Sequence, residues 1–343
     1  MSSSAKVGAI RHYKKNIFNL HVIVYKGGKI LSSITPGKFL WLDGKLMPWD
    51  DAKIHVTTPK YWGVFEGIRA YPSAVEPNEL YIFRWDAHMK RFKKSVSTYH
   101  IPLKYTIDDL EKATIETFRA CDFHGDVHFY VEAFMTKTTP PFVSSVAIYP
   151  RSYPTHLPPS KDFIGKTAIV SSWRRVGTDA LPVDAKCWSN YGNSALASLE
   201  ALRQGVDYAI LLDRRGFVSE FTGANIAIVK RGKIYTPPLY ASILDGITRD
   251  SLLEFVPDLG LKIEERDFTR VELCSADEVF GFGSGWEIMP IKEIDGITIG
   301  TGDVGPVTQR IGQYYHDIVQ GKVSKYKHWL LPVYKIPIRI ETR

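Results

Sequence analysis

The sequence predicts a mixed α/β protein of the α+β kind, built as two domains. Three observations lead there. Its 343 residues suffice for two domains with sizeable cores. Short apolar strands alternate with amphipathic helical stretches along most of the chain. A proline-rich stretch with few periodic apolar residues, Lys137 to Lys161, interrupts that alternation and reads as the interdomain connection. The resulting division is a basic extension over 1–38, a small domain over 39–150, a linker over 151–165, a large domain over 166–322 and a basic tail over 323–343.

The first elements are set by turn chemistry and periodicity. Phe39 to Pro48 reads as two short strands around Asp43-Gly44, a residue pair that accepts the positive φ angles of a tight hairpin. A strand follows at Tyr81 to Arg84. Met89, Phe92, Val96 and Tyr99 recur at helical spacing and predict a helix from Trp85 to Tyr99 with those four in the core. Arg91 lies beside that stripe rather than opposite it. Thr106 and Asp109 predict a capped second helix through Leu110, Ala113, Phe118 and Cys121. Val127 to Thr136 is a strand, with Tyr130 and Glu132 on one face and Val131 and Ala133 on the other.

Beyond the connection comes a strand from Lys166 to Trp173. Lys186 then stands ahead of a helix running through Leu196, Leu199 and Leu202, closed by Gly205 as a left-handed cap. Tyr208 to Asp213 is a strand, and Ala224 to Val229 pairs through Lys230 to Lys233 with Ile234-Tyr235. Gly246-Ile-Thr248 precedes a helix from Arg249 to Leu259, which offers free N–H groups and a positive dipole end to an anion. Glu278 to Phe282 is a strand running into Gly283-Ser-Gly285. A last helix from Val307 to Val319 turns Val307, Ile311, Tyr314 and Ile318 inward.

Composition excludes several classes of function. With 44% hydrophobic and 24% charged residues, the chain has the balance of a soluble globular protein. No apolar run approaches the roughly 20 residues of a membrane span. Met1 to Ile10 lacks the pattern of a secretory signal. The formal charge of +7 is confined to the ends: residues 1–29 carry +6 and the tail from Lys322 carries +5, so the middle is net acidic. That distribution argues against a nucleic-acid groove. The acid-free N-terminus also suits a mitochondrial transit segment, so the matrix stands as the alternative to the expected cytoplasm. Cys121, Cys187 and Cys274 are widely spaced and form neither a redox pair nor a metal-ligand set, so no metal is expected.

Five blocks of sequence carry more specific information. They are Gly63-Val-Phe-Glu-Gly-Ile-Arg-Ala-Tyr71, His88-Met-Lys-Arg91, Ala185-Lys-Cys-Trp-Ser-Asn-Tyr191, Gly246-Ile-Thr-Arg-Asp250, and Ala276 to Phe280 with Gly285 to Pro290. In this order and approximate spacing, from about Leu40 to about Lys322, the chain resembles the class IV (fold type IV) pyridoxal-phosphate aminotransferases. Within that class its pattern is most similar to the branched-chain amino acid aminotransferases. The resemblance implies a two-domain enzyme with pyridoxal 5'-phosphate held between the domains, and a homodimer.

A primary amine must be deprotonated to condense with an aldehyde, and Ala185, Cys187 and Trp188 give Lys186 apolar company. The resemblance implies that Lys186 is the Schiff-base lysine and the proton carrier, that Tyr191 donates a hydrogen bond to the cofactor's phenolate oxygen, and that Glu220 is the carboxylate facing the pyridine nitrogen. It implies a phosphate site made by Arg91, the amides of Ile247 and Thr248, and Ser284. Phe65, Tyr61, Arg69, Tyr130, Gly285 and Trp286 are its expected substrate contacts. Taken singly, each has an ordinary alternative, such as a solvated lysine, a surface arginine or a core tyrosine.

Four departures bear on the substrate. The stretch before Gly63 is about three residues short, Trp286 replaces a small residue, and Ala224 stands where a second glutamate is common. Tyr130-Val-Glu132 replaces a strand bearing an arginine and is similar to the amine-accepting members of the class. The expected reaction moves an amino group from a branched-chain or other hydrophobic amino acid to 2-oxoglutarate, a 2-oxo acid, by a ping-pong mechanism. The alternatives are a class IV transaminase for an (R)-amine or D-amino acid, an aminodeoxychorismate lyase, and a non-catalytic relative.

Overall fold

The computed structural model describes residues 34–158 and 165–335. The basic N-terminal extension lies outside the described residues, apart from its last few. In the first half the strands are β1 (Thr35–Pro36), β2 (Phe39–Leu42), β3 (Lys45–Pro48), β4 (Gly63–Pro72), β5 (Leu80–Phe83), β6 (Val127–Lys137) and β7 (Val143–Ser152). The helices among them are α1 (Trp85–Thr98) and α2 (Ile107–Cys121). The second half holds β8 (Lys166–Arg174), β9 (Tyr208–Leu212), β10 (Val218–Phe221), β11 (Asn225–Lys230), β12 (Lys233–Thr236), β13 (Lys262–Glu265), β14 (Glu278–Gly283), β15 (Glu287–Ile294) and β16 (Ile297–Thr298). Its helices are α3 (Tyr191–Arg203), α4 (Ile247–Phe255), α5 (Arg270–Cys274) and α6 (Pro306–Val319), and β17 (Leu330–Pro332) closes the described chain.

These strands make two sheets. The first runs β17-β5-β4-β6-β7-β2-β3, with β1 on β7, and is antiparallel. The second runs β10-β9-β8-β15-β14-β11-β12-β13, with β16 on β15. Its β8 pairs in parallel with both β15 and β9. Local chemistry accounts for the boundaries. Asp43 and Gly44 take φ angles of 48° and 91° in the first hairpin. Thr106 and Asp109 form the expected capping box on α2. Gly205 takes φ 74° after α3.

Apolar burial explains the layers. Val64, Ile68, Phe129 and Val131 meet Met89, Phe92, Leu110 and Phe118 in one core. A second core joins α4 and α6 to both sheets, through Leu252, Phe255, Ile311 and Tyr315 against Phe280, Phe282, Tyr71 and Phe83. Ile226, Ile228, Val279 and Met289 fill the opposite face of the second sheet.

Four expectations are corrected. The stretch Lys137 to Lys161 is not simply a connection: it contains β7, paired with β6 from Val127↔Ser152 to Lys137↔Val143. Val146 and Ile148 are fully buried there, so strand pairing overrides the prolines. On α3, Leu196, Leu199 and Leu202 face outward, 44–47% exposed, while Ser194, Ala197 and Ala201 pack inward. Small residues let the helix approach β8 and β9, which the larger leucines at that face would prevent. On α6 the buried tyrosine is Tyr315, with Tyr314 only partly covered. The chain after 322 is not a free tail through 335, because Tyr326 and Trp329 are buried and β17 pairs with β5.

Candidate active site

The segment between β8 and α3 is stitched onto the first sheet and α1. The Phe65 N–H donates to the Lys186 carbonyl at 3.0 Å, and the Lys186 N–H donates to Ser95 Oγ at 3.0 Å. The Asn190 side chain donates to the carbonyls of Pro182 and Ala185, closing the loop on itself. With its backbone so held, half-buried Lys186 directs Nζ at the Tyr191 hydroxyl, 2.7 Å away, and over the Phe65 ring at 4.8 Å. Phe65 in turn stacks on Trp188 at 4.0 Å and meets Tyr191 at 5.1 Å.

A second group converges at the start of α4. Gly246 caps the helix in extended conformation with no side-chain cap, and Asp250 N–H is bonded back to its carbonyl. The N–H groups of Ile247, Thr248 and Arg249 therefore precede the first helical bond. The Thr248 hydroxyl is buried without a partner among the described residues. A Cβ on Gly246 would overlap Asn225 Oδ1, so packing requires glycine there. Asn225 Nδ2 donates to Glu220 Oε2 and to the Leu244 carbonyl, both at 3.0 Å. Leu244 N–H also donates to Glu220 Oε2, and Arg175 Nη2 lies 3.0 Å from Glu220 Oε1. Burial pushes the Glu220 pKa up, while Arg175 opposes it. A solvent-exposed Glu220 is thereby ruled out.

Arg91 reaches this helix start through Nη1, which donates to the Asp245 carbonyl at 2.7 Å. Its Nε and Nη2 fork onto Glu66 at 2.8 and 2.6 Å. Burial alone would raise the Glu66 pKa, yet Arg91 and His88 hold it down at about 2. His88 shares hydrogen bonds with Glu66 through Nδ1 at 2.7 Å and with Ser284 Oγ through Nε2 at 3.3 Å. Burial pushes the His88 pKa down, the Glu66 contact notwithstanding. Of the expected phosphate residues, Arg91 is tied to Glu66 and the Asp245 carbonyl and Ser284 to His88, while Ile247 and Thr248 open α4 ahead of its first helical bond.

The expected substrate residues divide. Tyr130 lies 5.8 Å from Phe65, stacks on Tyr149 at 5.1 Å and accepts a hydrogen bond from Arg151 Nη2 at 3.0 Å. Glu132, opposite Phe65 in the β4–β6 register, is buried and bonded to Lys60, to Trp188 Nε1 at 2.6 Å and to the Tyr149 hydroxyl at 2.8 Å. Gly285 occupies the turn before β15, and the Trp286 indole packs against Tyr208 at 4.0 Å and Phe221 at 5.1 Å. Arg69 is 1% exposed and pairs with Glu287 rather than lining an open wall. Tyr61 is 66% exposed and makes no hydrogen bond or ring contact with this cluster.

Residue patterns missed Glu66, His88, Arg175 and Asn225. Two signals were available: Glu66 is a carboxylate inside a strand that is otherwise apolar but for Arg69, and His88 lies one helical turn before Arg91.

The family model for amino-transferase class IV matches residues 63–294. The chain belongs to the class IV aminotransferases. As a transaminase, it is 36% identical over 308 residues to the branched-chain-amino-acid aminotransferase of Salmonella typhimurium, covering 86% of this chain and 97% of that one. Its fold is similar to the crystal structure of branched-chain amino acid aminotransferase from Thermobaculum terrenum in PLP form, with a TM-score of 0.82 and 35% identity over 87% of this chain and 99% of that one. It is likewise similar to the branched-chain aminotransferase of Thermoproteus uzoniensis with norvaline, with a TM-score of 0.80 and 42% identity over 87% of this chain and all of that one. Among the described residues, no helix of this class IV aminotransferase is long and apolar enough to cross a membrane.

Proposed function

We propose that the protein transfers the amino group of a branched-chain amino acid to 2-oxoglutarate by a ping-pong mechanism, with pyridoxal 5'-phosphate as cofactor and as a cytoplasmic homodimer. The observation that carries the reading is the Lys186–Tyr191 pair, whose lysine charge acts on the buried Glu220 carboxylate. The residues present fit the cofactor. The unpartnered Thr248 hydroxyl, the N–H groups at the start of α4 and Arg91 suit a phosphate. Glu220, with Arg175 behind it, supplies the anion that keeps a pyridine nitrogen protonated. Lys186, Tyr191 and Ser284 complete the set that would hold the group. When bound, pyridoxal phosphate supplies a carbonyl carbon for the donor amine and a ring that takes up the electron pair freed at the α-carbon.

The chain's own residues do the rest. Lys186 Nζ, oriented by the Tyr191 hydroxyl at 2.7 Å, takes the proton from the donor α-carbon and holds it for return. The aromatic wall of Phe65, Trp188 and Tyr130 suits an apolar side chain and excludes water. The homodimer is supported by the family resemblance and by the outward leucines of α3, and a reducing compartment by three unpaired cysteines. A second reading, an amine or D-amino acid donor, is supported by Glu132 in the wall.

Visible absorbance of the purified holoprotein tests this. The band should bleach with leucine and with glutamate, and Lys186→Ala should lose both the covalent attachment and at least about 1000-fold in rate. Bleaching only with an (R)-arylalkylamine or a D-amino acid would replace the donor. A protein that stays colourless with pyridoxal phosphate would overturn the reading.

A further inference from the structure

Glu287 opens β15 with φ 56°, a left-handed backbone conformation that side-chain-bearing residues seldom adopt. Such a conformation persists where the surroundings over-determine it. Its side chain is fully buried, and its carboxylate ties three parts of the fold together. Oε1 accepts from Thr155 Oγ1 at 2.8 Å, and Oε2 accepts from the His156 N–H at 2.7 Å. Oε1 also stands 3.1 Å from Arg69 Nη2 on β4. Arg69 Nε, Nη1 and Nη2 make no geometrically formed hydrogen bond among the described residues, so the buried guanidinium is compensated by this ion pair and by the rings of Tyr71 and Tyr153 at 5.2 and 4.9 Å.

The three parts matter because of what each carries. Immediately before Glu287 is the turn Ser284–Trp286, whose Ser284 reaches His88 at 3.3 Å and through it Glu66 and Arg91. Strand β4 bears Phe65, beside the Lys186 amine. Thr155 and His156 belong to the chain leaving β7. Among the described residues, no hydrogen bond or ion pair joins Glu287 itself to Lys186, Arg91, Glu220 or Thr248.

We infer that Glu287 is a positioning residue: its carboxylate sets where the Ser284–Trp286 turn stands against β4, and so shapes the part of the crevice that takes the amino donor. The inference rests on the transaminase reading of that crevice.

The test compares the wild-type holoenzyme with Glu287→Gln, which keeps the side-chain shape and loses the charge. The variant should retain pyridoxal phosphate with its visible band, raise KM for leucine about tenfold or more with a smaller change in kcat, and bind 4-methylpentanoate correspondingly weaker. Amide hydrogen exchange should quicken at residues 283–286 and 153–157 and stay unchanged at 246–250. Because a buried Arg69 without its counter-charge loosens the fold by itself, Arg69→Met with Glu287→Gln serves as a second variant, which removes the cation and keeps an amide oxygen for the His156 N–H. It should recover thermal stability relative to Glu287→Gln alone while KM stays raised. Unchanged exchange at the turn, an unchanged KM in Glu287→Gln, or a wild-type KM in the double variant would each overturn the inference. A wild-type protein that converts no donor would sink the transaminase reading, and the exchange comparison still decides the tie.

Discussion

At the scale of single residues, the site is governed by buried charges that have been given partners. Glu66 is the clearest case: Arg91 and His88 hold its pKa near 2, against a usual 4.5, although burial pulls the other way. A carboxyl depressed on folding stabilises the protein at pH values above 4.5, and that contribution disappears as the pH falls toward 2. A shift of this size corresponds to about 3 kcal/mol. Urea unfolding between pH 6 and 3 should therefore show a shallower acid loss in Glu66→Gln than in the wild type. An identical slope would mean that Arg91 does not depress Glu66. The variant should also weaken pyridoxal phosphate binding, since Arg91 loses the partner that orients it. The short stretches that carry Lys186, Tyr191, Arg91 and Glu220 were legible, because each is local in sequence. Their partners Arg175 and Asn225 were not, since they act on Glu220 across 45 and 5 residues and only the folded backbone brings all three together.

At the scale of elements, the start of α4 depends on a contact rather than on propensity. A Cβ at Gly246 would strike Asn225 Oδ1, and Asn225 also holds Glu220. Gly246→Ala should cost about 1–3 kcal/mol by overpacking and reduce pyridoxal phosphate affinity at least tenfold. Titration of apoprotein by absorbance checks this, with Gly192→Ala as the comparison, since open space surrounds that glycine. Equal affinity in the two variants would remove Asn225 from the account. Helix α3 shows where periodicity misleads. Leucines at 196, 199 and 202 satisfy a helical stripe, yet alanines face the sheet because β8 and β9 admit only a close approach. Strand β7 shows the same limit from the other side, for Pro150 and the prolines flanking the strand mark a connection until ten residues of pairing with β6 are seen.

At the scale of the whole molecule, the chain returns to its first sheet after building the second. Trp329 is buried between Tyr326 at 4.2 Å and Phe83 at 5.9 Å, with the Arg84 guanidinium 4.5 Å from its ring. Trp329→Ala should lower stability by about 3–5 kcal/mol, measured by thermal and denaturant unfolding. A loss below 1 kcal/mol would mean that the C-terminal segment is merely laid on the surface. The mixed architecture, the first hairpin, the α2 capping box and membership of the class IV aminotransferases were readable from the residues alone. These depend on turn residues, periodicity and short blocks that act over a few positions. The folded structure was needed to show which face of α3 is buried, that the chain beyond 322 pairs into the first sheet, and that Arg69 is buried against Glu287. Each of those is a competition between distant groups for one buried space or one buried charge, and its outcome is fixed by which groups the fold brings within contact.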